Sequence, residues 1–395
     1  MKKIAIISFN HEESSLCLAK YIGLTGVLVD YYYVNSPSRK GKVSGFEFKK
    51  YNKWGIHKLE EIDAPEIFRY MKNSLNSLNL ITYDGYSRRY TLFRIDRFIL
   101  WLSCLIIRKR HYDAINIVGQ VKHVEYCHNY LKGENIIHTY HEVGSHQNNI
   151  PSTPSVDVSV RDYSRVILHS QATYNRYIAL PGVETQNVKE IPFGKFETYR
   201  LYVKPAELTI PLDLDKPTFL LFGLIRPYKG LDLLWEAMKY LSPLQDRFNL
   251  IIAGSGNDEK IVLFQSLPNC FVLNRFLEND EMIYLIQKST VIVLPYHTAS
   301  QTGIIPTIAL YGKPCIATAV GAFPEMINDG VNGLLIEPEN SSSFADAMKQ
   351  CIEDKPFLVR LQEGMSNYGN GDRYDWKIIA KQTLDFFNIN HCGSV

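Results

Sequence analysis

Arg226 and Lys229 stand three residues apart, directly behind the apolar run 219–224 and directly ahead of Gly230. Leu231, Leu233 and Leu234 then resume at helical rather than strand spacing. Two cations at a strand-to-helix hand-over have two readings. Either they are solvated surface charges, or they hold an anion such as a diphosphate with help from the N–H groups at the helix start near Gly230. A second segment, Ser300-Gln301-Thr302-Gly303-Ile304, follows a strand pattern ending at Pro295-Tyr296 and enters another helical pattern with Pro306 early in it. Its small residues let backbone N–H groups approach an oxygen-rich ligand closely; the plainer reading is an N-capped helix. Histidines close two strand patterns, His141 after 135–140 and His169 (with Ser170) after 164–168. Glu142 and His146 follow the first of these. The loop Asn10-His11-Glu12-Glu13-Ser14 follows the first strand.

Strands must carry these groups to a common edge. IAIISF (4–9), LITYDG (80–85), YDAINIVG (112–119), NIIHTYHE (135–142), SRVILHS (164–170) and VKEIPFG (188–194) read as strands with helical patterns between several of them. The second half repeats the scheme with strands at 219–223, 270–276 and 290–296, strand-then-turn segments at 248–256 and 313–321, and a hairpin-like pair over 330–338. Helices are expected at 231–241, 280–289, 304–312, 341–354 (with a serine N-cap) and 374–387. This βαβ organisation predicts an α/β fold of two doubly wound domains, with ligands beyond the C-terminal ends of the strands. The link is expected near 194–204. The expected division is 1–198, 199–373, and a last helical segment, 374–395, that crosses back to the first domain.

A chain of 395 residues exceeds a single typical core, and 46% apolar with 21% charged residues is ordinary for a globular protein. The seven cysteines are scattered, with no CxxC pair and no Cys/His cluster, so neither a zinc site nor a disulfide framework is suggested and a reducing cytoplasm fits. The start, MKKIAIISFN, reads as a strand rather than a signal peptide. The net charge of +2 conceals an asymmetry: Lys+Arg minus Asp+Glu is 27 − 19 = +8 over 1–200 and 16 − 22 = −6 over 201–395. No G-x-G-x-x-G follows the first strand, which argues against a simple dinucleotide oxidoreductase.

The series GLIRPYKGLDLL, AGSG, PYHTASQTG, GKPCIATAVGAFPE and NDGVNGLLIEPEN resembles, in order and spacing, the large retaining family of GT-B glycosyltransferases (glycosyl transferases group 1 type). The resemblance is strong over 217–350 and weaker in the first half. It implies two facing Rossmann-like domains with a nucleotide-sugar in the cleft between them. It places the donor diphosphate on Arg226 and Lys229, with Gly223 and Gly254 beside it. It places the base against Arg275 and Phe276, and the sugar hydroxyls and phosphate oxygens against Ser300, Gln301, Thr302, Gly303, Ile304 and Thr307; Glu325 matches a further family position. His141 falls where relatives keep a histidine near the donor sugar. Asn10, His11, Glu12, Glu142 and His169 fall on the acceptor side. Many relatives carry two glutamates eight residues apart in this segment. Here those places hold Ala299 and Thr307, or Ser300 and Ile308 with a one-residue slip, so the chain is similar to a subset with a Ser-Gln-Thr-Gly loop instead.

A leaving nucleoside diphosphate needs charge neutralisation, which cations and N–H groups supply, so no metal and no cofactor beyond the nucleotide-sugar co-substrate are expected. Asp213 and Asp215 form an Asp-x-Asp pair but lie before the strand. The implied reaction is transfer of a hexosyl group to a saccharide or lipid-linked saccharide with retention, in surface polysaccharide or glycolipid assembly of a bacterium. The alternatives are a GT-B protein that binds nucleotide-sugars without catalysis, and a sugar-nucleotide epimerase. Residues 86–112 add a ten-residue stretch, 98–107, apolar but for Ser103 and bracketed by arginines and a lysine. It is too short to span a bilayer, and its two readings are a buried helix with basic ends and a helix at an anionic membrane surface. No nucleic-acid motif accompanies these charges.

Overall fold

The structure, a computed structural model, describes residues 1–9, 11–35, 55–58, 70–71, 74–82, 95–119, 122–141, 165–201, 208–211, 213, 215–299 and 301–389. The chain forms two compact units, Met1–Leu201 together with Gly371–Val395, and Tyr202–Asn370.

The first unit carries β1 (Lys3–Ser8), β2 (Leu28–Asn35), β3 (Gly55–Lys58), β4 (Ser77–Thr82), β5 (Ala114–Val118), β6 (Ile136–Tyr140), β7 (Val166–Leu168) and β8 (Val188–Glu190), in the sheet order β3-β4-β2-β1-β5-β6-β7-β8. All neighbours are parallel except β3 on β4. Helices α1 (Glu12–Leu24), α2 (Ile95–Arg108), α3 (Lys122–Tyr130) and α4 (Gln171–Ile178) lie between strands. Every residue of β5 and β6 is buried, as both-face coverage of a parallel sheet demands.

Two strands, β2 and β3, were not expected. LVDYYYVN lacks the aliphatic signature of a buried strand, yet Tyr31 and Tyr32 are core residues. Each phenol has a buried partner: Tyr31 with the Ser15 hydroxyl at 2.8 Å, Tyr32 with the Tyr112 hydroxyl at 2.6 Å. Tyr112 in turn donates to the Asp30 carboxylate at 2.6 Å. A satisfied hydroxyl makes tyrosine a core residue.

The second unit carries β9 (Thr218–Phe222), β10 (Asn249–Ala253), β11 (Cys270–Leu273), β12 (Val291–Leu294), β13 (Cys315–Thr318) and β14 (Gly333–Ile336), all parallel, in the order β11-β10-β9-β12-β13-β14. Its helices are α5 (Leu231–Tyr240), α6 (Ile261–Gln265), α7 (Asn279–Lys288), α8 (Ile304–Ala309), α9 (Phe323–Met326), α10 (Ser341–Glu353) and α11 (Lys355–Asn367). Three local readings are corrected. Residues 330–333 form a turn, closed by the Gly330 N–H on the Gly333 carbonyl, that leads into β14; β14 pairs parallel with β13 and is no hairpin arm. Asn340, not a serine, caps α10, its side-chain oxygen accepting from the Ser343 N–H at 3.0 Å. Helix α11 was not anticipated; Asp354 caps it by accepting from the Phe357 N–H.

The chain then returns to the first unit as α12 (Trp376–Phe386), whose Trp376, Ile379, Ala380 and Leu384 join the core that also contains α1. The Trp376 indole donates to the Lys195 carbonyl at 2.7 Å. A Cβ on Gly194 would lie 2.6 Å from that indole nitrogen, so only glycine admits the ring.

Strand order reverses between β1 and β5 in one unit and between β9 and β12 in the other. At such a reversal the helices on either side diverge and leave a crevice past the strand ends.

Candidate functional site

In the second unit the loops beyond β9, β10, β12 and β13 are pressed together at the reversal. A Cβ on Gly230 would sit 1.8 Å from the Pro295 carbonyl oxygen, and one on Gly254 would sit 1.9 Å from that of Gly223. Both glycines have positive φ, +68° and +148°. Backbone hydrogen bonds complete the stitching: Ile225 N–H to the Ser255 carbonyl at 2.9 Å and His297 N–H to the Tyr228 carbonyl at 2.9 Å.

Lys229 closes a single 3-10 turn, Pro227–Lys229, between β9 and α5. It is only 4% exposed. Its ammonium donates to the Tyr296 hydroxyl and reaches the Phe222 carbonyl at 3.5 Å. It lies 4.4 Å from the centre of the Tyr296 ring and would be 3.5 Å from a Cβ on Gly223. Burial lowers its pKa to about 7, and among the described residues no ion pair offsets that loss. The solvated-cation reading therefore fails for Lys229. With only neutral oxygens beside it among the described residues, a buried ammonium is costly, and the lysine is stabilised either by losing its proton or by an added negative charge. Arg226, three residues earlier, is exposed and free to reach outward.

Tyr296 was missed as a site residue and read only as a strand end. It is buried, and burial together with Tyr228 pushes its hydroxyl well above the ordinary phenol range, so it stays neutral beside the ammonium. His297 was missed too. One ring nitrogen lies 2.8 Å from the Asp232 carboxylate on α5 and the other 2.5 Å from that of Glu339. Burial opposes its protonation, but the two carboxylates prevail and raise its pKa.

In the 300–304 segment, Ser300 lies outside the described residues. Gln301 has a buried side-chain nitrogen without a hydrogen-bond partner among the described residues. The Thr302 hydroxyl accepts from the Ile304 N–H at 3.1 Å, and the Thr307 hydroxyl donates back to the Gly303 carbonyl at 2.7 Å. Those two hydroxyls serve the local fold, and α8 is only six residues long, so little helix dipole is available there. At the end of β11, Arg275 is engaged by the Glu281 carboxylate through two bonds of 2.6 and 2.7 Å, and Phe276 is exposed. Glu325 lies half-buried on α9.

In the first unit, His11 follows β1 with φ 61° and occupies the N-cap position of α1, its side chain making no capping bond. Glu12, Glu13 and Ser14 thus belong to the first turn of a helix and not to a loop. The His11 ring stacks on His141 at 3.5 Å with 11° between planes, and His169 lies 4.7 Å from His141. Phe193 covers both, 5.0 Å from His141 and 3.8 Å from His169. A ring nitrogen of His169 bonds the Ile191 carbonyl at 2.8 Å, which makes that nitrogen, Nδ1, the protonated one. Nε2 of His141 and of His169 have no partner among the described residues. Both rings line a recess that also includes Ser14, Thr139 and Trp376. Burial lowers both pKa values, that of His169 to about 3 and that of His141 well below the imidazole range, where His11 and His169 add to the effect. Both rings are neutral at pH 7. Asn10, Glu142 and His146 lie outside the described residues. Among the described residues no cluster of His, Cys, Asp or Glu is arranged to hold a metal ion.

Residues 209–371 match the family model for glycosyl transferases group 1. The matched stretch covers most of the second unit. As a whole the chain carries the GT-B fold, two Rossmann-like domains. A glycosyltransferase from Rickettsia africae is similar over 98% of both chains, with a TM-score of 0.63 and 16% identity. Anabaena HepE, solved in complex with UDP-glucose, is similar over 98% of this chain and 100% of its own, with a TM-score of 0.62 and 17% identity. The D-inositol 3-phosphate glycosyltransferase of Xylanimonas cellulosilytica is 26% identical over 225 residues, 53% of each chain. The chain spans about half the length of the curated relatives it matches.

Proposed function

We propose that this protein is a glycosyltransferase that takes a sugar from a nucleoside-diphosphate-sugar and moves it to a saccharide or lipid-linked saccharide. The observation that carries the reading is Lys229, buried at the strand-order reversal with no counter-ion among the described residues and a pKa lowered to about 7. A diphosphate docked there would restore the charge balance, hold the lysine protonated and neutralise the leaving group as the glycosidic bond breaks. Arg226 would supply a second cation from the solvent side. HepE, with the same fold, is solved with UDP-glucose, which makes UDP the first base to try.

On the first unit, the neutral His141 and His169 have buried Nε2 atoms with no partner among the described residues, which sugar hydroxyls would satisfy on entering the recess. Retention of configuration, independence from metal, a hexosyl donor and a place in bacterial surface polysaccharide or glycolipid assembly complete the reading; they rest on the family resemblance. So does the assignment of the donor to the second unit and the acceptor to the first.

A thermal-shift panel of UDP, GDP, ADP and CMP with their sugar conjugates tests the binding half. One nucleoside diphosphate should raise Tm, and the Arg226→Ala/Lys229→Ala variant should not respond. Release of free nucleotide from the matching sugar conjugate only when an acceptor is supplied then separates a transferase from a binding protein. No response to any nucleotide would sink the proposal.

A further inference from the structure

Helix α2 (Ile95–Arg108) has two faces with different surroundings. Ile99, Leu100, Cys104 and Ile107 are buried in the core with residues of β5 and α3. On the opposite face Phe98, Trp101, Leu102 and Ile106 are 60%, 40%, 43% and 39% exposed. Their spacing of three, four and eight residues makes one stripe along the helix. Other large exposed apolar side chains among the described residues are scattered one by one, which is ordinary; four on one helix face is not.

The charge at the C-terminal end of this stripe is mainly basic. Residues 97–112 contain no Asp or Glu, with Asp96 in the first turn of α2 and Asp113 just beyond the stretch. Arg97 is turned onto the Tyr126 ring and Arg110 inward to Asp30, so neither serves the surface. Arg108, Lys109 and Lys132 are exposed at the C-terminal end of the helix. Arg108 lies beside Gly133 and is partly offset by Glu134 at 3.1 Å. The first 200 residues carry a net +8, from 27 basic and 19 acidic residues.

We propose that this face of α2 docks on the surface of an anionic lipid bilayer. Phe98 and Trp101 would enter the boundary between head groups and acyl chains, with Lys109 and Lys132 over the head-group phosphates. A helix of fourteen residues is about 21 Å long, too short for a hydrocarbon core of roughly 30 Å, so it lies on the membrane and does not cross it. A second copy of the chain laid on this face would bring like charges together. An anionic lipid supplies the sign that is missing. Docking of this kind does not depend on the reaction proposed above, and its test uses no substrate.

The full chain is sedimented with vesicles of phosphatidylcholine alone and of phosphatidylcholine with phosphatidylglycerol. Binding should favour the anionic vesicles by about tenfold and weaken as salt is raised to about 0.5 M. Phe98→Ser/Trp101→Ser should lose about tenfold or more in vesicle binding with its Tm and circular dichroism unchanged. Lys109→Glu/Lys132→Glu, at exposed positions that put the fold at no risk, should lose the anionic preference. In a Trp101→Phe variant, brominated lipid should quench clearly less tryptophan fluorescence than in wild type, while sedimentation persists. Absence of wild-type binding to either vesicle overturns the proposal, as does a folded serine variant that binds like wild type. A dimer seen by light scattering and dispersed by the serine variant assigns the face to a second copy and overturns it equally.

Discussion

At the scale of one residue, Lys229 ties stability to binding with opposite signs. Its unfolded pKa is near 10.4 and its folded value about 7, so the folded state binds fewer protons across that interval. The destabilisation is therefore complete below pH 7 and shrinks as pH rises toward the unfolded value. Lys229→Met removes the buried charge at similar volume. It should raise stability by roughly 2–4 kcal/mol at about pH 6, a gain that fades toward about pH 10, while nucleotide binding is lost. Thermal melts across pH, run with and without UDP, check both halves together. A methionine variant that is less stable than wild type at acid pH would mean that the bond to Tyr296 outweighs the desolvation. Wild-type affinity for a nucleoside diphosphate should fall between about pH 6 and about pH 8.5 as the free lysine gives up its proton.

At the scale of elements, the candidate donor site is made by loops that touch backbone to backbone. Gly230 is the most exposed to test. Alanine there meets the Pro295 carbonyl at 1.8 Å and must also hold a φ of +68°. Gly230→Ala should cost above about 3 kcal/mol and separate the β9 and β12 loops, so nucleotide binding should fall even at temperatures where the protein stays folded. Urea melts and a nucleotide titration at low temperature measure the two effects. Much of this architecture was legible in the sequence. Short aliphatic runs such as FLLF and TVIVL, closed by turn residues, favour strands buried on both faces, and the glycine after FLLF announces its turn. The cations between β9 and α5 were legible as a pair, but not that one is buried and the other exposed, because burial of Lys229 depends on Tyr296, sixty-seven residues away. For the same reason Tyr296 and His297 carried no local signal. Strand β2 was hidden because its tyrosines join the core only through hydroxyl partners on α1 and before β5. Helix α11 was hidden by its start, where Asp354 and Pro356 read equally as a turn.

At the scale of the whole molecule, the two units should respond differently to acid and to truncation. The first holds three buried histidines, His138, His141 and His169, whose pKa values burial depresses. Their contribution is intact above the unfolded value near 6.5 and is lost as pH falls below it, at up to about 1.4 kcal/mol per pH unit for each ring. The second unit has no histidine in that state among its described residues. Trp235 is the one tryptophan of residues 202–370, so its emission reports that unit against Trp54, Trp101 and Trp376 in the rest of the chain. Between about pH 6.5 and about pH 4, signals from the first unit should be lost before that of Trp235. The return of the chain as α12 makes the first unit depend on its last residues. Removal of 371–395 takes Trp376, Ile379, Leu384 and Phe387 out of a core in which each is nearly or fully buried. At about 1.5–3 kcal/mol for each side chain, the loss is roughly 6–12 kcal/mol. That matches the total stability of an ordinary domain, about 5–15 kcal/mol. The truncated chain should therefore be cut by protease throughout residues 1–201 while a fragment near 202–370 survives with Trp235 still protected. If the truncated chain instead resists protease over its full length, α12 is an accessory to the first unit and not part of its core.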